Sequence, residues 1–233
     1  MTSLEIIPIT GIGEVRPGDD LADLIIGADT EILDGDCLVI TQKVVSKAEN
    51  RLVDIDPDDP LSHKPLVEQE SVRILRRRGE LIISQTEHGF VCANAGIDLS
   101  NVERGQAALL PVDSDRSSRG VRDRLKARAG LDVAIIVSDT FGRPWRRGVT
   151  DVAIGCAGIA AIVDLRGTTD SLGRELMVTE VAAVDEIAAA ADLVMGKAEG
   201  VAVAIVRGLP DAWFRPSSVI DEIVRDPADD LFR

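Results

Sequence analysis

Short apolar runs, rich in branched residues, place the strongest limit on how this chain can fold. The most pronounced run covers residues 132–137. Residues 4–8 and 37–41 form two more, and Gly and Asp turn signals bound them. Runs of this length and composition are typical of buried strands. Further strands are predicted at residues 81–84, 90–93 and 201–206.

Helical character is found between these strands. Helices are predicted at residues 20–33, 67–78, 120–129 and 179–195. The segment 67–78 mixes apolar residues with charges, which suits an exposed amphipathic helix, and 179–195 has its apolar residues on one face. The Gly- and Ala-rich segment 148–163 indicates close packing of a helix against a sheet. The polar segments 54–65 and 112–119 are predicted loops.

The order of these elements is mixed and lacks a regular βαβ rhythm. We therefore predict an α/β (mixed α+β) fold that forms one domain over residues 1–233. With 45% apolar residues, such a chain can bury one large core or two small ones, which would form two subdomains.

Composition excludes several classes of protein. The net charge of −14 repels a phosphate backbone, so no nucleic-acid partner is expected. The sequence has neither a signal peptide nor a long uncharged apolar stretch, so we predict a cytoplasmic protein that does not span a membrane. The three cysteines are far apart, without metal-site spacing, and are predicted to be small core residues in a reducing compartment. An anionic substrate would require a local positive charge or a bound metal.

Two segments could contact phosphate groups. Residues 8–15 run from a strand end into a Gly-containing loop, whose backbone N–H groups can approach a phosphate closely. Residues 41–47 follow a buried strand and carry Lys43 and Lys47, whose ammonium groups can neutralise phosphate oxygens. Taken alone, the first segment is more typical of a plain turn, and the second of a solvated exit from a strand.

Two further segments place an aspartate after a predicted strand. Asp98 lies in residues 94–101 and Asp139 in residues 138–146, each beside other oxygen donors. Mg²⁺ and Mn²⁺ prefer such oxygens and bridge them to substrate phosphates. A loop aspartate is also a common cap or turn former. Arg143 and Arg146 follow Asp139 and could bind an anionic substrate or pair with surface acids.

Taken together, these segments resemble the coenzyme F420-0:γ-glutamyl ligase family, and the resemblance runs from about residue 4 to about residue 207. The phrases that carry it are Gly-Asp-Asp-Leu at 18–21, Lys-Val-Val-Ser-Lys at 43–47, Ala-Gly-Ile-Asp-Leu-Ser-Asn at 95–101, Ser-Asp-Thr-Phe-Gly-Arg-Pro-Trp-Arg at 138–146 and Val-Thr-Glu-Val-Ala at 178–182.

The resemblance implies a set of site residues. Those expected to contact GTP are Ile12, Gly13, Glu14, Val15, Gln42, Lys47, Asn101 and Lys197. The metal ligands implied are Asp98, Asp139 and Thr140, and the residues implied in catalysis are Asp98, Asp139 and Lys47. Arg143 and Arg146 are candidate substrate contacts. Archaeal relatives place a glutamine where this chain has Lys197, and a protonated ammonium cannot ligate a metal.

The resemblance also implies a reaction. GTP phosphorylates the lactyl carboxylate of coenzyme F420-0 with the help of Mg²⁺ or Mn²⁺, and the amine of L-glutamate then displaces the phosphate. The number of further glutamates added through γ-linkages is left open. A requirement for K⁺ is left open. A stand-alone ligase without a C-terminal reductase domain is implied, as an intertwined homodimer. The alternatives are a non-catalytic nucleotide- or deazaflavin-binding protein and a ligase for another amino acid or acid acceptor.

Overall fold

The computed structural model of the chain describes residues 3–230, in which strands and helices alternate irregularly. The strands are β1 (Glu5–Ile9), β2 (Cys37–Thr41), β3 (Leu52–Asp54), β4 (Ser71–Arg78), β5 (Leu81–Thr86), β6 (Val91–Ala93), β7 (Gln106–Ala108), β8 (Ala134–Gly142), β9 (Val149–Ala157), β10 (Val163–Asp164), β11 (Glu180–Val181) and β12 (Val203–Arg207). The helices are α1 (Leu21–Ile26), α2 (Gln42–Ala48), α3 (Lys64–Gln69), α4 (Ser114–Ala129), α5 (Ala183–Met195) and α6 (Val219–Glu222), with 3-10 turns at Asn94–Gly96 and Asp211–Trp213.

A five-stranded sheet, the main sheet, has the strand order β1-β12-β2-β8-β9. Strands β2 and β8 run parallel, and the other neighbours are antiparallel. Residues 37–40 of β2 and 134–138 of β8 are buried, because they lie in the middle of the sheet and contribute to one large apolar core. The predicted strands 37–41 and 132–137 are thus confirmed, and the mixed α/β class is confirmed with them.

Helix α4 approaches the main sheet closely at Gly155 of β9. A Cβ atom added to Gly155 would lie 2.3 Å from the carbonyl carbon of Ser114, so only glycine fits there. This contact confirms the close helix-to-sheet packing predicted for residues 148–163. The predicted loop 112–119 is wrong after Asp113, because Asp113 caps α4 by accepting a hydrogen bond from the Arg116 N–H at 2.8 Å.

A second sheet, the small sheet, has the strand order β4-β5-β6. It contains the clearest error of the sequence analysis, because residues 71–78 form strand β4 and not part of a helix over 67–78. Helix α3 ends at Gln69. Gly79, with φ of 58°, then forms the tight turn that pairs β4 with β5. Pairing with β5 therefore determines the secondary structure of residues 71–78, and the helical spacing of their apolar residues does not.

Several boundaries also differ from the prediction. Helix α1 ends at Ile26, where Gly27 caps it, and does not continue to residue 33. Helix α5 begins at Ala183, four residues later than predicted. Strand β8 continues to Gly142, so Asp139 lies inside a strand and not after one. Residues 42–48 form helix α2, so the solvated strand exit considered for 41–47 is wrong.

The cysteines are small core residues, as predicted. Cys37, Cys92 and Cys156, all within residues 3–230, are buried free thiols. Burial raises the pKa of each thiol above its usual range, to about 12 for Cys92 and Cys156. Among the helices of residues 3–230, every one is too short or too polar to cross a lipid bilayer.

Candidate active site

A pocket of about 440 Å³ opens beside the ends of β2 and β8. It brings together segments that are far apart in the sequence. The residues predicted to contact nucleotide or metal that line it are Ile12, Gly13, Glu14, Val15, Gln42, Lys47, Asp98, Asn101, Asp139, Thr140 and Lys197. Every member of those two predicted sets therefore faces one space. Larger cavities occur elsewhere on the chain, but the residues predicted to contact nucleotide or metal line this one.

Strand pairing builds the wall of this pocket that comes from the main sheet. Thr140 of β8 lies opposite Asp151 of β9, and a register shift occurs between Val137 and Ser138, just before the site. The Asp151 carboxylate accepts hydrogen bonds from the hydroxyls of Ser138 at 2.9 Å and Thr140 at 2.6 Å. Asp151 is only 3% exposed, and its carboxylate is therefore held in a fixed position.

Asp151 was not singled out in the sequence analysis. The signal that could have found it is a charged residue near the start of an apolar strand, because buried aspartates are rare unless they are paired.

Lys197 closes the same wall from the loop after α5. Its ammonium donates to the Thr140 hydroxyl and lies 3.1 Å from Asp151 Oδ1 and 3.3 Å from Asp192 Oδ1. Burial lowers the pKa of Lys197, but the charges of Asp151 and Asp192 outweigh it and raise that pKa above its usual value. Asp192, like Asp151, was missed by the sequence analysis.

A second wall is the loop that follows the small sheet. Residues Asn94 and Ala95 adopt left-handed backbone conformations there, and Asp98 pairs with Ala108 through an isolated β-bridge. The Asp98 carboxylate lies 2.8 Å from Lys43 Nζ and accepts hydrogen bonds from the Ser100 N–H at 2.7 Å and hydroxyl at 2.8 Å. Burial raises the pKa of Asp98, but these donors outweigh it and bring that pKa below its usual value.

Asp139 belongs to β8, in the wall that comes from the main sheet, and has a different environment from Asp98. Burial is the largest cause that raises its pKa, to about 7, and the charges of Asp98 and Asp151 act in the same direction. The Thr140 N–H, which donates to Asp139 Oδ1 at 2.8 Å, and the charge of Lys197 lower that pKa only in part. Asp139 is thus a carboxylate whose charge is poorly compensated by the protein. A bound cation is a group that would supply the missing compensation.

Helix α2 positions Lys47 and Gln42 on the floor of the pocket. Lys47 is 8% exposed, and its ammonium pairs with Glu14 of the Gly-containing loop. The Gln42 side chain is used inside the protein, because its amide donates to the Leu109 carbonyl at 3.0 Å and to the Ser46 hydroxyl at 2.6 Å. Gln42 therefore shapes the pocket, while Lys47 presents a charge to it.

The donor set fits a divalent cation only in part. Within residues 3–230, no group of three or more His, Cys, Asp or Glu side chains has the geometry of a metal site. Asp98 and Asp139 nevertheless provide the carboxylates that Mg²⁺ or Mn²⁺ prefers, and such ions commonly take their remaining ligands from water and substrate phosphates. These two residues fit a metal that arrives with a nucleotide. The Thr140 hydroxyl, by contrast, is engaged by Asp151 and Lys197.

The arginines predicted to contact substrate lie elsewhere. Arg143 and Arg146 are exposed and do not line the pocket. Arg143 Nη2 donates to the Arg147 carbonyl at 3.1 Å, within the turn that joins β8 to β9. Their role in substrate binding stays a prediction.

Known proteins with similar sequences point to one family. The sequence model of the family described as F420-0:Gamma-glutamyl ligase matches residues 11–208. A protein of Methanothermobacter thermautotrophicus named coenzyme F420:L-glutamate ligase is 42% identical, over 99% of each chain. Proteins of the same name from Methanopyrus kandleri and Archaeoglobus fulgidus are 42% and 38% identical, covering 100% and 99% of this chain and 99% and 96% of their own.

Proposed function

Since this chain belongs to the F420-0:gamma-glutamyl ligase family, we propose that it forms an amide bond between L-glutamate and the lactyl carboxylate of coenzyme F420-0, driven by GTP. The observation that carries the proposal is the single pocket shared by the Gly-containing loop, Lys47, Asp98 and Asp139. A phosphate-binding loop and a pair of carboxylates in one space are what a nucleotide-driven ligation requires.

The proposed reaction has two steps. An oxygen of the lactyl carboxylate attacks the γ-phosphorus of GTP, the bond to the β-phosphate oxygen breaks, and GDP leaves. The amine of glutamate then attacks the acyl phosphate carbon, inorganic phosphate leaves, and the amine loses a proton. Phosphorylation is needed because a carboxylate is a poor electrophile and has no good leaving group.

The residues of the pocket bind and orient in this scheme. Backbone N–H groups of residues 12–15 approach the nucleotide, and the buried Lys47 ammonium supplies positive charge to its phosphates within an acidic protein. When bound, Mg²⁺ or Mn²⁺ supplies further neutralisation of phosphate charge. Asp98 and Asp139 would hold that ion. No side-chain nucleophile is required.

Product analysis tests this proposal. The purified chain is given GTP, Mn²⁺, L-glutamate and F420-0, and GDP release is followed together with the mass of the deazaflavin product. We expect a product heavier by one or more glutamyl units, and an Asp139→Ala variant that is slower by at least about 100-fold. Asp58→Ala is the matched control, because Asp58 is an exposed aspartate paired with Arg104 outside the pocket.

The two alternatives give different outcomes in the same experiment. Binding of GTP without product, across a panel of acceptors and amino acids, would make the chain a nucleotide-binding protein and overturn the ligase proposal. A product formed only with another amino acid or another acid acceptor would retain the ligase chemistry and overturn the substrate.

We also propose a homodimer, on the basis of the family. Leu172, Met177 and Val178 lie between β10 and β11 and are 92%, 69% and 84% exposed, which is unusual for neighbouring large apolar residues of a lone chain. Light scattering after size-exclusion chromatography should give twice the chain mass of 24.9 kDa for the wild type. A Leu172→Asp variant should give a mass closer to that of a single chain. A wild-type chain that stays monomeric at high concentration would contradict the proposal.

A further inference from the structure

The ammonium of Lys197 occupies a position that resembles a cation site. Three side-chain oxygens surround it, from Asp151, Asp192 and Thr140, and the two carboxylate distances are 3.1 Å and 3.3 Å. These oxygens come from β9, α5 and β8, so the tertiary structure assembles them. Hard oxygen donors converging on one positive charge are also what a metal ion takes in proteins.

The backbone around Lys197 is held in place for this contact. Gly196, which directly precedes it, has φ of 60° and ψ of −172°, a conformation that is essentially restricted to glycine. The Gly196 N–H donates to the Asp192 carbonyl at the end of α5. On the other side, the Asn101 side chain donates to the Lys197 carbonyl at 3.3 Å. The chain turns sharply after α5, and the Lys197 side chain reaches back to Asp192 in the last turn of that helix.

Charge explains why the ammonium is needed at this position. The side chain of Asp151 is only 4% exposed, and a buried carboxylate is costly unless an opposite charge compensates it. The hydroxyls of Ser138 and Thr140 donate hydrogen bonds but no charge. Lys197 is half exposed and could extend into water, yet its ammonium turns inward to Asp151.

We propose that Lys197 is a built-in cation of the pocket, which compensates Asp151 and Asp192 and excludes a metal ion from the Thr140 side. The inference rests on the proposed function, because it assumes that a divalent ion binds at Asp98 and Asp139. It assigns Lys197 as a positioning residue that confines that ion to Asp98 and Asp139. Replacing the ammonium with a neutral oxygen donor should open a second cation site.

Mn²⁺ counting tests the inference. The full chain is titrated with Mn²⁺ in the presence of GDP, and free Mn²⁺ is measured by electron paramagnetic resonance. We expect Lys197→Gln to bind one more Mn²⁺ per chain than the wild type. Lys197→Arg, which keeps the charge, should bind the wild-type number. So should Lys126→Gln, which removes an exposed lysine paired with Asp132 outside the pocket. An equal count in Lys197→Gln and the wild type would overturn the inference.

Thermal unfolding gives a second readout that does not depend on activity. In metal-free buffer Lys197→Gln should unfold at a lower temperature than the wild type, because Asp151 has lost its counter-charge. Mn²⁺ should then raise the unfolding temperature of this variant by more than it raises that of the wild type. An equal Mn²⁺ effect on both proteins would also overturn the inference.

Failure of the inference and failure of the proposed function can be told apart. If the wild type makes no glutamylated product but Lys197→Gln still gains one Mn²⁺, the ligase proposal is wrong and the role of Lys197 stands. If the wild type makes the product and the two counts are equal, the ligase proposal stands and the role of Lys197 is wrong.

Discussion

The two walls of the pocket place the same type of side chain in opposite electrostatic environments. Asp139 projects from the main sheet, where burial raises its pKa to about 7. Asp98 projects from the loop after the small sheet, where Lys43 and Ser100 outweigh burial and lower its pKa. Whether an aspartate in a site is charged or neutral therefore depends on its burial and on the partners that the fold brings to it.

The walls also differ in construction. The main-sheet wall is made of β8 and β9, which share one large apolar core with α4 and α5. The loop wall follows a small sheet whose own buried cluster is limited to Val67, Ile82 and Ala95. We therefore expect substitutions behind the main-sheet wall to cost more stability than comparable ones behind the loop wall.

The largest expected effect is at Gly155, behind the main-sheet wall. Gly155→Ala places a Cβ 2.3 Å from the Ser114 carbonyl carbon, so α4 must move away from β9, and we expect a loss of more than about 4 kcal/mol in the free energy of unfolding. Chemical denaturation measures it. Gly142→Ala is the control in the same sheet, because no atom lies within 4 Å of its added Cβ. Equal losses in the two variants would contradict the packing described.

Truncation of one buried isoleucine in each region compares the two cores directly. Ile136→Ala in β8 should cost about 4 kcal/mol, because the surrounding sheet is closely packed and cannot collapse around the cavity. Ile82→Ala in β5 should cost about 2 kcal/mol, because its cluster is small and next to solvent. Urea denaturation of both variants gives the two values. If Ile82→Ala proves the more costly, the ranking of the two walls is reversed.

Opposite pKa shifts should produce opposite pH dependences in metal-free buffer. The folded-state pKa of Asp139 is raised, so the wild type loses stability as pH rises from about 4 through about 7, and Asp139→Asn should not. The stability of Asp139→Asn relative to that of the wild type should therefore be greater at pH 8 than at pH 4, by on the order of 2 kcal/mol.

Asp98→Asn is the counterpart on the loop wall. The folded-state pKa of Asp98 is lowered, so its charge stabilises the fold above the unfolded-state pKa and loses that contribution as pH falls. Asp98→Asn should therefore be less stable than the wild type at neutral pH and approach it in acid. Denaturation curves between pH 3 and pH 8 check both signs, and parallel profiles for the two variants would contradict the comparison.

The smallest expected effect comes from removing Lys43, which lowers the pKa of Asp98. Lys43→Met takes away the partner 2.8 Å from Asp98, so the pKa of Asp98 should rise toward its usual value. Nuclear magnetic resonance of the side-chain carboxyl carbon measures the shift. Arg104→Ala removes an exposed ion pair elsewhere and should leave this pKa unchanged.

The wrong helix at residues 67–78 shows where local pattern fails. Val72 and Leu75 lie at positions that suit an exposed helix, but Gly79 allows the turn that pairs β4 with β5. Propensity differences between helix and strand are small per residue, so pairing with a neighbouring strand decides such a segment. The same reason explains why β8 extends to Gly142, since it pairs with β9 beyond the apolar run.

The buried strands predicted at 37–41 and 132–137, the core cysteines and the segments that line the pocket could be predicted from the sequence, because apolar runs and short motifs are local signals. Asp151 and Asp192 join the pocket through the register of β8 with β9 and the turn of the chain at Gly196, which are features of the folded chain. The opposite pKa shifts of Asp98 and Asp139 also arise only in the folded chain. Burial and charge at a point depend on atoms from distant segments, which a linear pattern does not record.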